Sequence, residues 1–189
     1  MLKVTEQYKD FSYVTRASLQ HALSEHGLTL SEPETEELMK AYDDLSTFPE
    51  VNSALSALEQ PNITCVVFSN GTKSMVSNSV HKSSDLKPYS GVFSDIVTVD
   101  EVRAFKPAPE VYAHLAHKTG MEGREGDMWL ISGNPFDVVG ARAAGMKAAW
   151  VDRAGGGWQD ALGGEEGKPT VVVKGLDEVV DVVMNHTNS

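Results

Sequence analysis

The sequence predicts an α/β fold, a Rossmann-like doubly wound parallel sheet with a small helical cap. Three observations lead there. From residue 63 onward, apolar runs of strand length alternate with helical patterns, as they do when each strand is followed by a helix that returns the chain to a parallel neighbour. The runs are continuously apolar rather than alternating, the pattern of strands covered on both faces. The residues before them are helical by period and contain no strand-like run, which sets them apart as the cap.

Taken in order, Thr15 to Glu25 carries Leu19, Ala22 and Leu23 at helical spacing and stops at Gly27, a residue suited to the left-handed turn that ends helices. Ser31, Pro33 and Glu34 form a capping-box signature with proline in the first turn, opening a second helix through Glu37, Leu38 and Tyr42. Together they predict a helical cap over residues 1–48 and an α/β core over 49–189. The strands expected in the core are ITCVVFS (63–69), DIVTVD (95–100), MWLIS (128–132), AAWVD (148–152) and TVVV (170–173). Helices are expected at Lys73–Ser83, Pro109–Thr119, Pro135–Ala144 and Leu176–Met184. AGGGWQDALGGEEG (154–167) reads as an exposed loop and the terminal NHTNS as a frayed tail.

Composition narrows the function. Sixteen Lys and Arg against 27 Asp and Glu give a formal charge of −11, a field that repels phosphate backbones and anionic lipid heads. Nucleic-acid and membrane-surface partners are therefore not expected, and a small anion would need a local cluster of cations and N–H donors. The single cysteine, Cys65, excludes a disulfide framework and a Cys-based metal site; its place in ITCVVF predicts a buried strand residue. No stretch reaches the roughly 18 apolar residues of a membrane span. The start, MLKVTEQYKD, lacks the apolar centre of a signal peptide, so a reducing, cytoplasmic location is expected.

Ligands of parallel α/β sheets bind at the carboxyl ends of the strands, and four such ends carry polar residues. In VVFSNGT, Ser69 and Asn70 leave a strand and Gly71 with Thr72 turns into a helix; this is either an anion cradle or a plain capped turn. In VRAFKPAPEVY, two prolines stiffen the loop behind Lys106. Its ammonium either grips an anion or carboxylate or is a solvated surface charge. Tyr112, in the helix that follows, is either a core residue with a satisfied hydroxyl or a partner of Lys106. In ISGNPFDVVGARAAGM, Ser132, Asn134 and Asp137 lie past a strand end, Asn134 placed to cap the helix that opens at Pro135. Gly140, Ala141, Ala144 and Gly145 let that helix pack closely. In AAWVDR, Asp152 and Arg153 read as a loop ion pair.

FSNG, then FKPAPEVY, then SGNPFDVVGARAAGM, in that order, resemble the motifs of the haloacid dehalogenase superfamily, and within it the type II (L-)2-haloacid dehalogenases; QYKDFSYVTRASLQHAL is similar to their cap region. The resemblance implies hydrolytic dehalogenation of short 2-haloalkanoic acids without metal or cofactor. A carboxylate displaces halide at C2, and water hydrolyses the resulting aspartyl ester. It implies that Ser69 binds the substrate carboxylate and that Asn70 helps receive the halide. Lys106, supported by Tyr112 and Ser132, would stabilise the carboxylates of the site, and Asn134 and Asp137 would position the hydrolytic water. Phe136 with Phe11 would wall the apolar pocket. Phosphatase relatives bind Mg²⁺ through an acidic residue near the start of the third motif; here Ser132, Gly133 and Asn134 stand there and only Asp137 remains, a poor magnesium site.

The pattern departs from the family at its beginning. The strand ending in D-x-x-G-T, whose first Asp is the nucleophile, and the arginine that follows it for the halide have no counterpart in this sequence. Asp100, at the end of DIVTVD, is the Asp most similarly placed. Two expectations follow: an N-terminally incomplete dehalogenase, inactive as it stands, or a non-catalytic relative that binds small acids or a protein partner. A sheet lacking its first strand has an edge that a second copy can pair, so a homodimer is one expected assembly.

Overall fold

The computed structural model describes residues 8–42, 44–59 and 63–187. The chain divides into two units, Met1–Thr47 with Val66–Arg103, and Phe48–Cys65 with Ala104–Ser189.

The first unit holds the two N-terminal helices. Helix α1 (Phe11–Glu25) begins earlier than the periodicity suggested, because Asp10 caps it by accepting the Tyr13 N–H at 2.8 Å; Gly27 beyond it takes φ 65°. Helix α2 (Glu32–Ala41) realises the capping box, with Ser31 and Glu34 bonded reciprocally. Arg16 of α1 pairs with Glu32 and Glu36 of α2. Residues 1–47 group with 66–103. Hydrogen bonds supply the reason. The Ser79 hydroxyl donates to the Tyr42 carbonyl, the Ser84 N–H to Asp44, and the Thr47 N–H and hydroxyl to Asp85. Strand β1 (Cys65–Ser69) pairs with β2 (Phe93–Thr98) in a two-stranded sheet. Every residue of β1 is only half-buried, Cys65 included, because a strand with one ladder partner among the described residues is not enclosed as a central strand is. Burial still pushes the Cys65 thiol above its ordinary value.

In the second unit, β3 (Trp129–Ser132), β4 (Lys147–Val151) and β5 (Val171–Val173) form a parallel sheet in that order, with Ser132 opposite Trp150 and Val151 opposite Val173. Central β4 buries Ala148, Ala149, Trp150 and Val151 in succession, the enclosure that its unbroken apolar run predicts. Ala148 and Trp150 meet Val138 of the helix after β3, while Val151 and Val173 meet Val179, Val182 and Val183 of the helix after β5. Alternate residues of β4 thus feed cores on opposite faces of the sheet, as a doubly wound α/β fold requires.

Helix α3 (Val51–Ala57) packs against the end of this unit, and α4 (Lys73–Lys82) belongs to the first unit. Helix α5 (Pro109–Thr119) buries Val111, Tyr112, Leu115 and Ala116 on one face and ends at Gly120 with φ 67°. Helix α6 (Pro135–Ala143) leaves β3, and α7 (Val179–Thr187) follows a 3-10 turn at Leu176–Glu178. The expected frayed tail is helical through Thr187; Asn188 and Ser189 lie outside the described residues. No helix among the described residues is long and apolar enough to cross a membrane.

Candidate active site

The second unit gathers three of the expected site residues. Lys106 leaves the loop before α5, its peptide to Pro107 cis. Its ammonium lies 3.0 Å from Asp137 Oδ2, both side chains 7 % exposed. Tyr112, in the first turns of α5 and fully buried, donates its hydroxyl to the other carboxylate oxygen, Oδ1, at 2.8 Å. Asp137 occupies the first turn of α6, where the helix dipole favours a negative charge. Both oxygens of one buried carboxylate are thus fixed by side-chain donors more than twenty residues away in sequence.

Of the open readings, the surface lysine is excluded, and Tyr112 is a core residue whose hydroxyl serves the same carboxylate as Lys106. Burial pushes the Lys106 ammonium below the ordinary lysine value, and the Asp137 charge works against that shift. Burial first, then the Asp137 charge, push the Tyr112 phenol upward, so it remains a hydrogen-bond donor throughout the neutral range.

Close packing makes this geometry possible. A Cβ placed on Gly140 would lie 2.6 Å from Cε2 and Cζ of Tyr112 and collide with its hydroxyl oxygen. The small residue that was expected to let α6 approach the sheet instead admits the tyrosine ring. The signal was present in the sequence: Gly140 lies three residues after Asp137 and so shares its helix face.

The turn between β3 and α6 carries the rest of the third motif. Ser132 Oγ accepts the Asn134 N–H at 3.1 Å. Asn134 stands at the N-cap of α6, but its side chain makes no capping bond. The expected cap is therefore corrected: Pro135 at N1 already removes one N–H that would need satisfying, and the carboxamide remains exposed. Phe136 is 44 % exposed. The carbonyl of Gly133 accepts the indole N–H of Trp150 at 3.3 Å, a contact the motif reading missed.

In the first unit, Ser69 Oγ accepts the Gly71 N–H at 3.0 Å, and Thr72 caps α4 by accepting the Met75 N–H. Asn70 and Phe11 are half-buried, Phe11 in the first turn of α1. Asp100 sits in a 3-10 turn at Val99–Glu101 rather than at a strand end, and its carboxylate accepts the Tyr8 hydroxyl.

The expected pairing of Asp152 with Arg153 does not form. Asp152 accepts the N–H groups of Gly156 and Gly157 at 3.1 and 2.9 Å. Arg153 pairs instead with Glu50 at 2.7 Å and lies over the Phe48 ring, 4.1 Å from its centroid. The chain leaves β4 and turns at this point, the Gly155 N–H donating to the Asp152 carbonyl at 3.1 Å, and each side chain finds its own partner.

Comparison with known proteins agrees with the motifs. The model of the haloacid dehalogenase-like hydrolases matches residues 4–145. Haloacetate dehalogenase H-2 of Moraxella sp. (strain B) is 33 % identical over 181 residues, which cover 94 % of this chain and 75 % of that protein. (S)-2-haloacid dehalogenase H-109 of Pseudomonas putida is 29 % identical over 179 residues, 95 % of this chain and 75 % of its own length. Among solved structures, the L-2-haloacid dehalogenase of Xanthobacter autotrophicus with chloropropionic acid covalently bound superposes with a TM-score of 0.80 at 26 % identity, over 94 % of this chain and 77 % of that one. Another L-2-haloacid dehalogenase superposes with a TM-score of 0.83 at 28 % identity, over 95 % and 74 %. The chain belongs to the haloacid dehalogenase-like hydrolase family.

Proposed function

We propose that this site serves hydrolytic dehalogenation of a short 2-haloalkanoic acid. The observation that carries the reading is the Lys106–Asp137–Tyr112 arrangement, in which both oxygens of the third motif's one carboxylate are held by an ammonium and a phenol. Such a carboxylate is fixed in orientation, suited to aligning a water rather than to joining a magnesium site. Asn134, with its exposed carboxamide, shares the positioning of that water. By the motif resemblance Ser69 is assigned to the carboxylate of the acid, Asn70 to the halide, and Phe11 and Phe136 to apolar contacts with the acid. Lys106 supplies the local positive charge that an anionic substrate requires in a chain of net charge −11.

The reaction runs in two steps. A carboxylate attacks C2 of the acid, the carbon–halogen bond breaks and halide leaves with the bonding pair. Water then attacks the ester carbonyl, the carbonyl carbon–alkoxide bond breaks, one proton of the water passes to the departing alkoxide and the other to solvent, and the carboxylate and a 2-hydroxy acid are returned. The 189 residues contain no D-x-x-G-T stretch to supply the attacking carboxylate, and the protein made from them alone is proposed to be inactive. Halide release from 2-chloropropionate tests this with two proteins: the 189-residue chain, and the same chain preceded by a segment bearing that motif. Release from the extended protein alone is the expected result. No release from the extended, folded protein would refute the activity; release from the shorter one would refute the need for the segment.

A further inference from the structure

Trp150 lies near the end of β4, in register with Ser132 on β3. Its indole N–H reaches across to the carbonyl of Gly133 at 3.3 Å, while the Asn134 N–H returns to Ser132 Oγ at 3.1 Å. The Ser132–Gly133–Asn134 turn is thus held by one bond from within and one from the neighbouring strand. The same indole, 8 % exposed, packs against Val138, the residue after Asp137. It therefore touches the turn that carries Asn134 on one side and the helix that carries Asp137 on the other.

Behind Trp150 stands Trp158, edge to face, with ring centroids 5.1 Å apart and an interplanar angle of 83°. Trp158 belongs to the glycine-rich loop, and its indole nitrogen is buried with no hydrogen-bond partner, so packing holds it in place. The loop is pinned at its root by Asp152, which accepts from Gly156 and Gly157. Further along it approaches α6 so closely that a Cβ on Gly163 would lie 3.0 Å from both methyl groups of Val139.

We propose that Trp150 is a positioning residue for this site: its indole N–H fixes the Gly133 carbonyl and so sets the turn that presents Asn134, while the glycine-rich loop, through Trp158, is the strap that keeps the indole in place. The assignment of that turn to acid binding rests on the dehalogenase reading; the mechanical coupling does not.

Amide hydrogen exchange on the ¹⁵N-labelled 189-residue protein separates the two. Trp150→Phe retains an aromatic ring and removes the N–H. Loss of one net hydrogen bond is expected to speed exchange at Asn134 by about fivefold and to leave the Val111 amide of α5 unchanged. Trp158→Leu leaves the Trp150 N–H in place and is expected to speed exchange at both that indole N–H and Asn134, so the test survives if Trp150→Phe does not fold. Unchanged exchange at Asn134 in the folded variants, or equal acceleration at Asn134 and Val111, would overturn the positioning role. Titration with 2-chloropropionate is expected to shift the Asn134 and Asp137 amides of the parent protein, and less so in Trp150→Phe. Absence of any shift in the parent would overturn acid binding at the turn while the exchange data still decide the coupling.

Discussion

Asp137 and Asp152 follow neighbouring strands of one sheet and are equally buried, each 5 % exposed, yet they do different work. Asp137 is held by two side chains, an ammonium and a phenol, brought from another loop and another helix. Asp152 is held by backbone N–H groups four and five residues ahead in its own chain. A carboxylate fixed by local backbone donors closes a turn, whatever its burial. One fixed by distant titratable side chains has been assembled by the fold at the expense of burying charge, and marks a candidate site. The kind of partner, and its distance in sequence, separates the two where exposure does not.

The largest expected effect comes from removing the cation. Lys106→Met leaves the Asp137 carboxylate buried beside an apolar stem, which costs about 3–5 kcal/mol, read as a lowered urea midpoint. Adding Asp137→Asn should recover part of that loss, since the uncompensated charge is then gone. Equal stability of the single and double variants would show that Lys106 acts through packing alone, and the contrast with Asp152 would fail.

Tyr112→Phe removes one hydrogen bond to the same carboxylate and should cost about 1.5–3 kcal/mol. It also sharpens the pH dependence. The Tyr112 phenol is pushed up in the folded chain, so its contribution is fully present below about pH 10, where unfolded tyrosines begin to ionise, and is lost as pH rises further. Lys106, pushed down, works oppositely, the folded chain gaining stability as pH climbs toward the ordinary lysine value. Parent and Tyr112→Phe share the lysine effect, so the parent should lose stability more steeply above pH 10, measured by urea unfolding between pH 8 and 10.5. Parallel pH curves would contradict the assignment. Gly140→Ala attacks the same bond sterically: its Cβ meets the tyrosine ring at 2.6 Å, and overpacking of this kind costs about 1–3 kcal/mol. Tyr112→Leu in the same chain should relieve the strain.

Much of this was legible in the sequence because it depends on local chemistry. The Ser31 capping box, the limits of α5 at Pro109 and Thr119, and the continuous burial of AAWV all follow from short-range pattern. The motif spacing named the residues around Asp137, and the fold brought Lys106 and Tyr112 to it. What was not legible depends on direction and long-range pairing. AAWVDR contains an acid beside a base, and nothing in that string says they diverge, Arg153 finding Glu50 about a hundred residues upstream. Asn134 has the right residue type for a cap, but the orientation of a carboxamide is a property of the folded turn. Cys65 lies in an apolar run, yet burial depends on how many strands enclose it, and β1 has one ladder partner among the described residues.

The smallest expected effect tests the other carboxylate. The Gly157 N–H foremost, then the Gly156 N–H and after it the Lys174 charge, hold the Asp152 carboxyl below its ordinary value, while burial opposes them. A depressed acid contributes stability above its unfolded pKa, near 3.9, and loses it as pH falls toward the folded value. Asp152→Asn retains an acceptor oxygen but removes the charge that strengthens both bonds. It should therefore speed amide exchange at Gly156 and Gly157 at neutral pH and leave the Asp137 amide unaffected. In the parent, acidification below about pH 4 should loosen the same two amides first. If Asp152→Asn disturbed the Lys106–Asp137–Tyr112 group as strongly as its own loop, the two carboxylates would belong to one network, and partner type would no longer tell a turn-closing acid from a site-forming one.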